Sequence, residues 1–195
     1  MKKMMMTLIM GIVALTANAQ NTLRENGTIT IQPKLGIGSG HISGEWDGGG
    51  EAKGKSGFVF GAEGEYYLSP KFSAALGVNY AEQGWTLEFS GGSDEKVKLN
   101  YLNVPLVANY YVAEGLALKA GVQMGFLLGA KVDDVDYKEN CKSTAFSIPV
   151  GISYEFENIV VDARYNIGAT KVNKYGSKDQ RSDFLLVTLG YKFSL

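Results

Sequence analysis

The strongest constraint in this sequence is a period of two that returns along nearly its whole length. From Thr28, the apolar residues Ile29, Ile31, Pro33, Leu35 and Ile37 alternate with Thr30, Gln32, Lys34 and Gly36. Seven further segments repeat the pattern: Phe58 to Leu68, Phe72 to Tyr80, Leu102 to Val112, Leu116 to Leu128, Phe146 to Phe156, Ile159 to Ile167 and Leu185 to Leu195. Strict alternation marks a β-strand with two different faces. An even count of about eight strands, joined in sequence order, predicts an all-β fold: a closed antiparallel up-and-down barrel. Glycine-rich composition agrees, with 25 Gly, and a hydrophobic share of 45% is enough for a folded chain.

The bulky face of each segment is almost free of charge, whereas the other mixes Gly, Ala and Ser with Lys34, Glu63, Glu65, Lys119, Glu155, Asp162, Arg164 and Lys192. An eight-stranded interior is only wide enough for side chains to fill. The many Phe, Tyr, Leu and Ile residues therefore belong outside, against lipid. The eight charges, four of each sign, belong inside and compensate one another, because an unpaired buried charge costs several kcal/mol. The phase slips near Gly84, after which Trp85, Leu87 and Phe89 continue the apolar face; this predicts a β-bulge there. Val97 and Leu99 likewise open the apolar face of the following segment. Connections at 69–71, 113–115 and 157–158 are minimal, while those at about 40–56, 90–96, 131–143 and 172–182 are long and polar, the asymmetry of an outer-membrane barrel. Tyr66, Phe72, Tyr110, Tyr154, Phe156, Tyr191 and Phe193 gather near the short turns, where an interfacial aromatic girdle is expected.

Residues 1–19 read as a cleaved signal peptide: Lys2 and Lys3, an apolar stretch from Met4 to Leu15, then Ala17-Asn18-Ala19. The apolar stretch is shorter than the ~20 residues a spanning helix needs. Cleavage after Ala19 leaves residues 20–195 as one barrel domain of 176 residues with formal charge −3. A whole-chain net charge of −1 gives no basic footprint for nucleic acid. One Cys and one His exclude a structural zinc cluster.

The phrase Tyr101-Leu102-Asn103-Val104-Pro105-Leu106, the segment Arg164-Tyr165-Asn166-Ile167-Gly168 and the closing Gly190-Tyr191-Lys192-Phe193 resemble the outer-membrane β-barrel (porin-family, PorT-like) proteins of Gram-negative bacteria, similar in shape to small OmpA/OmpX-type barrels. The resemblance covers the mature chain and implies residence in the cell outer membrane. It also implies that Thr188, Gly190, Phe193 and Leu195 form the signal read by the barrel-assembly machinery, and that an acidic residue often stands where this chain has Asn103.

Other chemical candidates are weaker. His41 with Ser39, Ser43 and Asp47 suggests a lipid-modifying site, but a triad requires mutual contact that loop sequence does not guarantee. Asp133, Asp134, Asp136 and Glu139 match no calcium-loop spacing and read as a solvated acidic loop. Gly48-Gly49-Gly50 lacks the Gly-Lys-Ser/Thr of a phosphate loop, and Cys141 has no internal partner. No catalytic, cofactor-binding or metal-binding residue is assigned, and no cofactor is implied. The expected function is that of a monomeric integral outer-membrane barrel without enzyme activity, with a structural or surface-interaction role. Its partners would be membrane lipid and lipopolysaccharide, with Trp46 and Tyr175 as loop contacts for unknown surface partners. The alternatives are a narrow porin-like pore, a lipid-modifying barrel enzyme and a soluble lipocalin-like carrier.

Overall fold

A computed structural model describes residues 25–43, 51–88, 94–132, 135–136, 138, 142–170 and 181–195. The strands are β1 (Ile29–Ser43), β2 (Glu51–Gly54), β3 (Ser56–Ser69), β4 (Phe72–Glu88), β5 (Asp94–Ala113), β6 (Leu116–Val132), β7 (Val135–Asp136), β8 (Thr144–Phe156), β9 (Ile159–Gly168), β10 (Arg181–Tyr191) and β11 (Phe193–Ser194). Eight of these are staves, each paired antiparallel with its sequence neighbour: β1, β3, β4, β5, β6, β8, β9 and β10. Pairing of β1 with β10, from Lys34↔Gly190 to Ser43↔Arg181, closes the sheet into a barrel. The short pieces extend staves: β11 continues β10 along β1, β7 folds back on β6, and β2 lies above β3 beside β4 with its register moved one residue around Lys55.

Register fixes the barrel's dimensions. Following paired residues around the wall from Ile29 through Tyr66, Ala74, Ala108, Ala120, Val150, Tyr165 and Leu185 returns to β1 at Ser39, ten residues farther along. With a rise of ~3.3 Å per residue and strands ~4.8 Å apart, that stagger gives a tilt of about 40° and a radius of about 8 Å. The stagger is even, so inward and outward faces meet correctly at the seam.

The lower faces are those expected from the alternation. Leu35, Ile37, Phe58, Phe60, Leu76, Val122, Ile148 and Leu189 are exposed on the outer wall. From Phe58 to Leu68 the tilted β3 carries an apolar band of about 25 Å, the height of a bilayer's hydrocarbon core on such barrels. Short turns lie at the opposite end from the long connections. At one of them Gly115 takes φ 73°, and a Cβ there would run into the Glu155 carbonyl. Near this rim, rings of Phe72 and Tyr110 and of Tyr191 and Phe193 pack with centroids 4.7 Å apart. Tyr154, expected in the same girdle, is instead buried at 6% exposure, beside the Gly115 turn.

One expectation is corrected. There is no bulge at Gly84: β4 pairs with β5 in unbroken register from Asn79↔Asn103 to Glu88↔Asp94. The irregularity beside Gly84 lies instead in the neighbouring chain at Lys55, and on the upper part of β6 a bulge occurs where Asn100↔Gly129 is followed by Tyr101↔Leu127 and Leu128 is left over. Because β4 keeps its phase, Trp85 points inward, and Leu99 does the same; both are buried inside the barrel. Leu87 lies in β4 but its side chain, like residue 89, is outside the described set.

Candidate functional site: the layered lumen and the outer rim

The inward side chains form four layers. Nearest the short turns, Lys192 lies 2.7 Å from Glu155 and 2.9 Å from Glu65. Glu65 accepts further bonds from Tyr111 at 2.7 Å, from Asn109 at 2.9 Å and from Ser73, and the Tyr67 and Tyr111 hydroxyls meet at 2.8 Å. Lys192 also lies over both tyrosine rings, 5.7 and 5.9 Å from their centroids. This layer holds one cation and two carboxylates.

The next layer reverses that imbalance. Glu63 receives Lys34 at 2.6 Å, Arg164 at 2.6 Å and Lys119 at 3.3 Å, while Lys119 also reaches Asp162 at 2.5 Å. Arg164 donates from Nε to Asp162 at 2.8 Å and from one terminal nitrogen to both Glu63 oxygens, so a single guanidinium spans two carboxylates. Gly151 makes room for it: a Cβ there would crowd the Arg164 side chain. Three cations face two carboxylates here, and the two layers together are neutral. All eight charges expected inside are buried, with exposures of 0–6%.

Above the charges comes a neutral polar layer with Asn79, Asn103, Gln123 and Asn166, in which Asn79 Oδ1 and Asn166 Oδ1 have no protein partner. Buried amides of this kind are ordinarily satisfied by ordered water. The top layer is apolar. Trp85, Leu99, Tyr101, Leu127 and Ala130 pack as one cluster, with Val59, Ala81, Phe184 and Leu186 as another. Sequence reading missed this second plug, and also Tyr67, Tyr111, Ser73 and Asn109 as members of the lowest layer. The signal for Tyr67 was present, since it shares a face with Glu65 at even spacing; Tyr111 shares a face with Asn109 but meets Glu65 only across the barrel.

At the outer rim, His41 is exposed at the end of β1 in register with Asp183. The carboxylate of Asp183 accepts bonds from the Tyr165 hydroxyl and the Gly168 amide, both at 2.9 Å. Ser39 shares the outward face of β1 with His41; the Ser43 side chain and Asp47 are outside the described residues, as are Trp46, Tyr175, Cys141, Asp133, Asp134 and Glu139. Asp136 is placed only as a backbone partner of Lys131.

An apolar outer wall around an ionic lumen is the arrangement of a membrane-spanning barrel, and residues 18–173 match the family model of the outer membrane protein beta-barrel domain. The chain belongs to that family. It is accordingly an integral protein of the outer membrane. Among solved structures, the fold is similar to Neisserial surface protein A, with TM-score 0.55 and 19% identity over 85% of this chain and 97% of that one. It is also similar to the outer membrane protein OprG from Pseudomonas aeruginosa, with TM-score 0.53 and 15% identity over 87% and 97% of the chains. Ail, the attachment invasion locus protein of Yersinia pestis, gives TM-score 0.51 and 17% identity over 86% and 99%. At these identities the likeness is one of fold. No curated protein sequence matches the chain.

Proposed function

We propose that this family member is a closed, non-enzymatic outer-membrane post: a monomeric barrel that anchors surface-interacting segments above its outer rim and is delivered through cleavage after Ala19. The observation that carries this reading is the Glu63–Arg164–Asp162–Lys119 cluster, which fills the cross-section with bonds of 2.5–3.3 Å at depth in the wall. Moving an ion through that layer requires breaking several buried ion pairs at once, each break costing about 3–5 kcal/mol. A rigid barrel of this kind is suited to presenting loops, where recognition usually resides. Lipopolysaccharide is its expected neighbour, and the barrel-assembly machinery its expected route of insertion.

Planar-bilayer recording tests the reading directly. Purified, heat-modifiable protein should leave the membrane silent, and discrete single-channel steps from the folded form would overturn the closed post. His41→Ala should leave lipid A chemistry unchanged in cells expressing the protein; an altered lipid A profile dependent on His41 would restore the enzyme alternative.

A further inference from the structure

The two apolar clusters of the upper lumen are separate, and the gap between them is a slot. It has a volume of ≈ 30 Å³, with Tyr101 of one cluster and Phe184 of the other among its walls and Asn103, Gln123, Ser147 and Asn166 of the neutral polar layer as its floor. Its outer end lies at Lys142, Thr144 and Thr170, on the side where the wall is short. There β8 begins opposite Phe126 and β9 ends opposite Ser147, whereas β6 continues to Val132. Two glycines keep the slot open. A Cβ on Gly125 would come within 2.7 Å of Asn103 Oδ1 and 3.3 Å of the Tyr101 ring, and a Cβ on Gly38 would strike the Phe184 ring, which lies against β1 in the space that Gly38 leaves.

The floor has hydrogen-bonding capacity that the described residues do not use. Asn166 is 2% exposed and gives its Nδ2 to the Phe184 carbonyl at 3.2 Å. That bond fixes the amide and leaves Oδ1 without a partner among the described residues; Ser182 Oγ, on a neighbouring lining residue, also has none. Gln123 donates to Ser147 Oγ at 3.2 Å, so its carbonyl oxygen is turned to acceptor duty. Buried oxygens of this kind call for a donor.

Charge and width narrow the guest. None of the described lining residues is acidic, Lys142 is the charged one among them, and the layer beneath holds three cations against two carboxylates, so a cationic guest is repelled. An anion would face the unpartnered acceptor on Asn166. The guest is therefore neutral, donates at the floor, offers apolar surface to aromatic walls, and fits where about two or three waters would. A hydroxyl supplies the donor alone. A secondary acetamide supplies an N–H, a carbonyl for the Ser182 hydroxyl and a methyl group for the rings.

We infer that the slot receives the acetamido group of an N-acetylated amino sugar presented from outside the cell. Its N–H points to Asn166 Oδ1 and its methyl lies between Tyr101 and Phe184. The sugar ring, too large for the slot, stays at the mouth beside Lys142 and Thr144. This goes beyond the closed-post reading and holds whether or not the barrel conducts.

The test is saturation-transfer difference NMR on the full barrel in nanodiscs, with the methyl glycoside of N-acetylglucosamine as probe and the methyl glycosides of glucose and glucosamine as comparisons. In wild type the acetyl methyl should take up more saturation than any ring proton, and the probe should bind about tenfold better than either comparison, the scale of one buried hydrogen bond. N-methylacetamide, the bare group, should displace it. Gly125→Val, which fills the slot without changing charge, and Asn166→Leu, which removes the acceptor, should each abolish the preference while the protein remains heat-modifiable. Lys71→Gln, at a short turn, should have no effect. Three outcomes overturn the slot: equal binding of the three glycosides, a wild-type signal no stronger than that of empty nanodiscs, or an undiminished preference in Gly125→Val.

Discussion

The lower and upper halves of β4 obey opposite rules. Between Phe72 and Tyr80 the outward residues Phe72, Leu76 and Val78 are exposed and apolar, while Ser73 and Asn79 point inward and are buried. Above Ala81 the outward residues are Glu82, Gly84 and Thr86, and the described inward ones are Gln83 and Trp85, the latter buried in the apolar cluster. No bulge separates the halves. What changes is the solvent. Within the bilayer the cheap place for an apolar side chain is outside, and charges are tolerated only where partners surround them. Beyond the hydrocarbon edge, water and headgroups touch the wall, and the apolar side chains turn to the only dry volume left, the lumen. The barrel therefore has an ionic plug below and an oily one above, built from a single backbone pattern.

The sharpest way to break this comparison is to make one substitution in each plug. Glu63→Gln leaves three cations sharing a lone remaining carboxylate in their layer and should destabilise the inserted barrel by about 3–5 kcal/mol, read by urea unfolding in lipid vesicles. A loss below about 1 kcal/mol would mean that the charges are hydrated rather than mutually held. Trp85→Ala, which hollows the upper plug, should cost about 3 kcal/mol in the same assay while the bilayer stays electrically silent, since the lower layers still close the lumen. The outer wall tests the change of solvent itself: Leu76→Arg, mid-band, should cost about 2 kcal/mol or more, whereas Thr86→Arg, above the band on the same strand and face, should stay within about 0.5 kcal/mol. Equal costs at the two positions would remove the proposed boundary between them. Leu99→Met should cost under about 1.5 kcal/mol, because the upper plug needs volume rather than a particular pattern of charge. That contrast with Glu63→Gln is the comparison at its narrowest.

The same solvent boundary explains which parts of the molecule could be read without coordinates. The staves, their order, the short turns and all eight lumen charges follow from alternation plus the argument that a narrow interior cannot hold the bulky face. That argument holds only inside the bilayer. At Trp85 a reader tracking apolar residues sees the phase jump and infers a bulge, and at Leu99 assigns an inward residue to the outward apolar face, although the strands keep their phase there and the environment has switched. The real irregularity, at Leu128–Gly129 in β6, leaves no break in the apolar sequence from Leu116 to Leu128 and so stayed hidden. Alternation alone puts Tyr67 and Tyr111 on the inward face, but their joint hold on Glu65 and Lys192 depends on β3, β5 and the end of the chain converging across the barrel, which no local pattern reports.

The seam that β10 and its continuation β11 make with β1 joins residues as far apart in the chain as Thr30 and Ser194. Until the last stave arrives, both margins of the sheet present bare amides and carbonyls, groups that hydrocarbon cannot solvate. Synthesis thus delivers the latch last. A chain cut short before Arg181 would lack its closing stave and face the acyl phase with an unhealed edge on each side, so truncated copies should be rejected by the bilayer rather than tolerated as weakened ones.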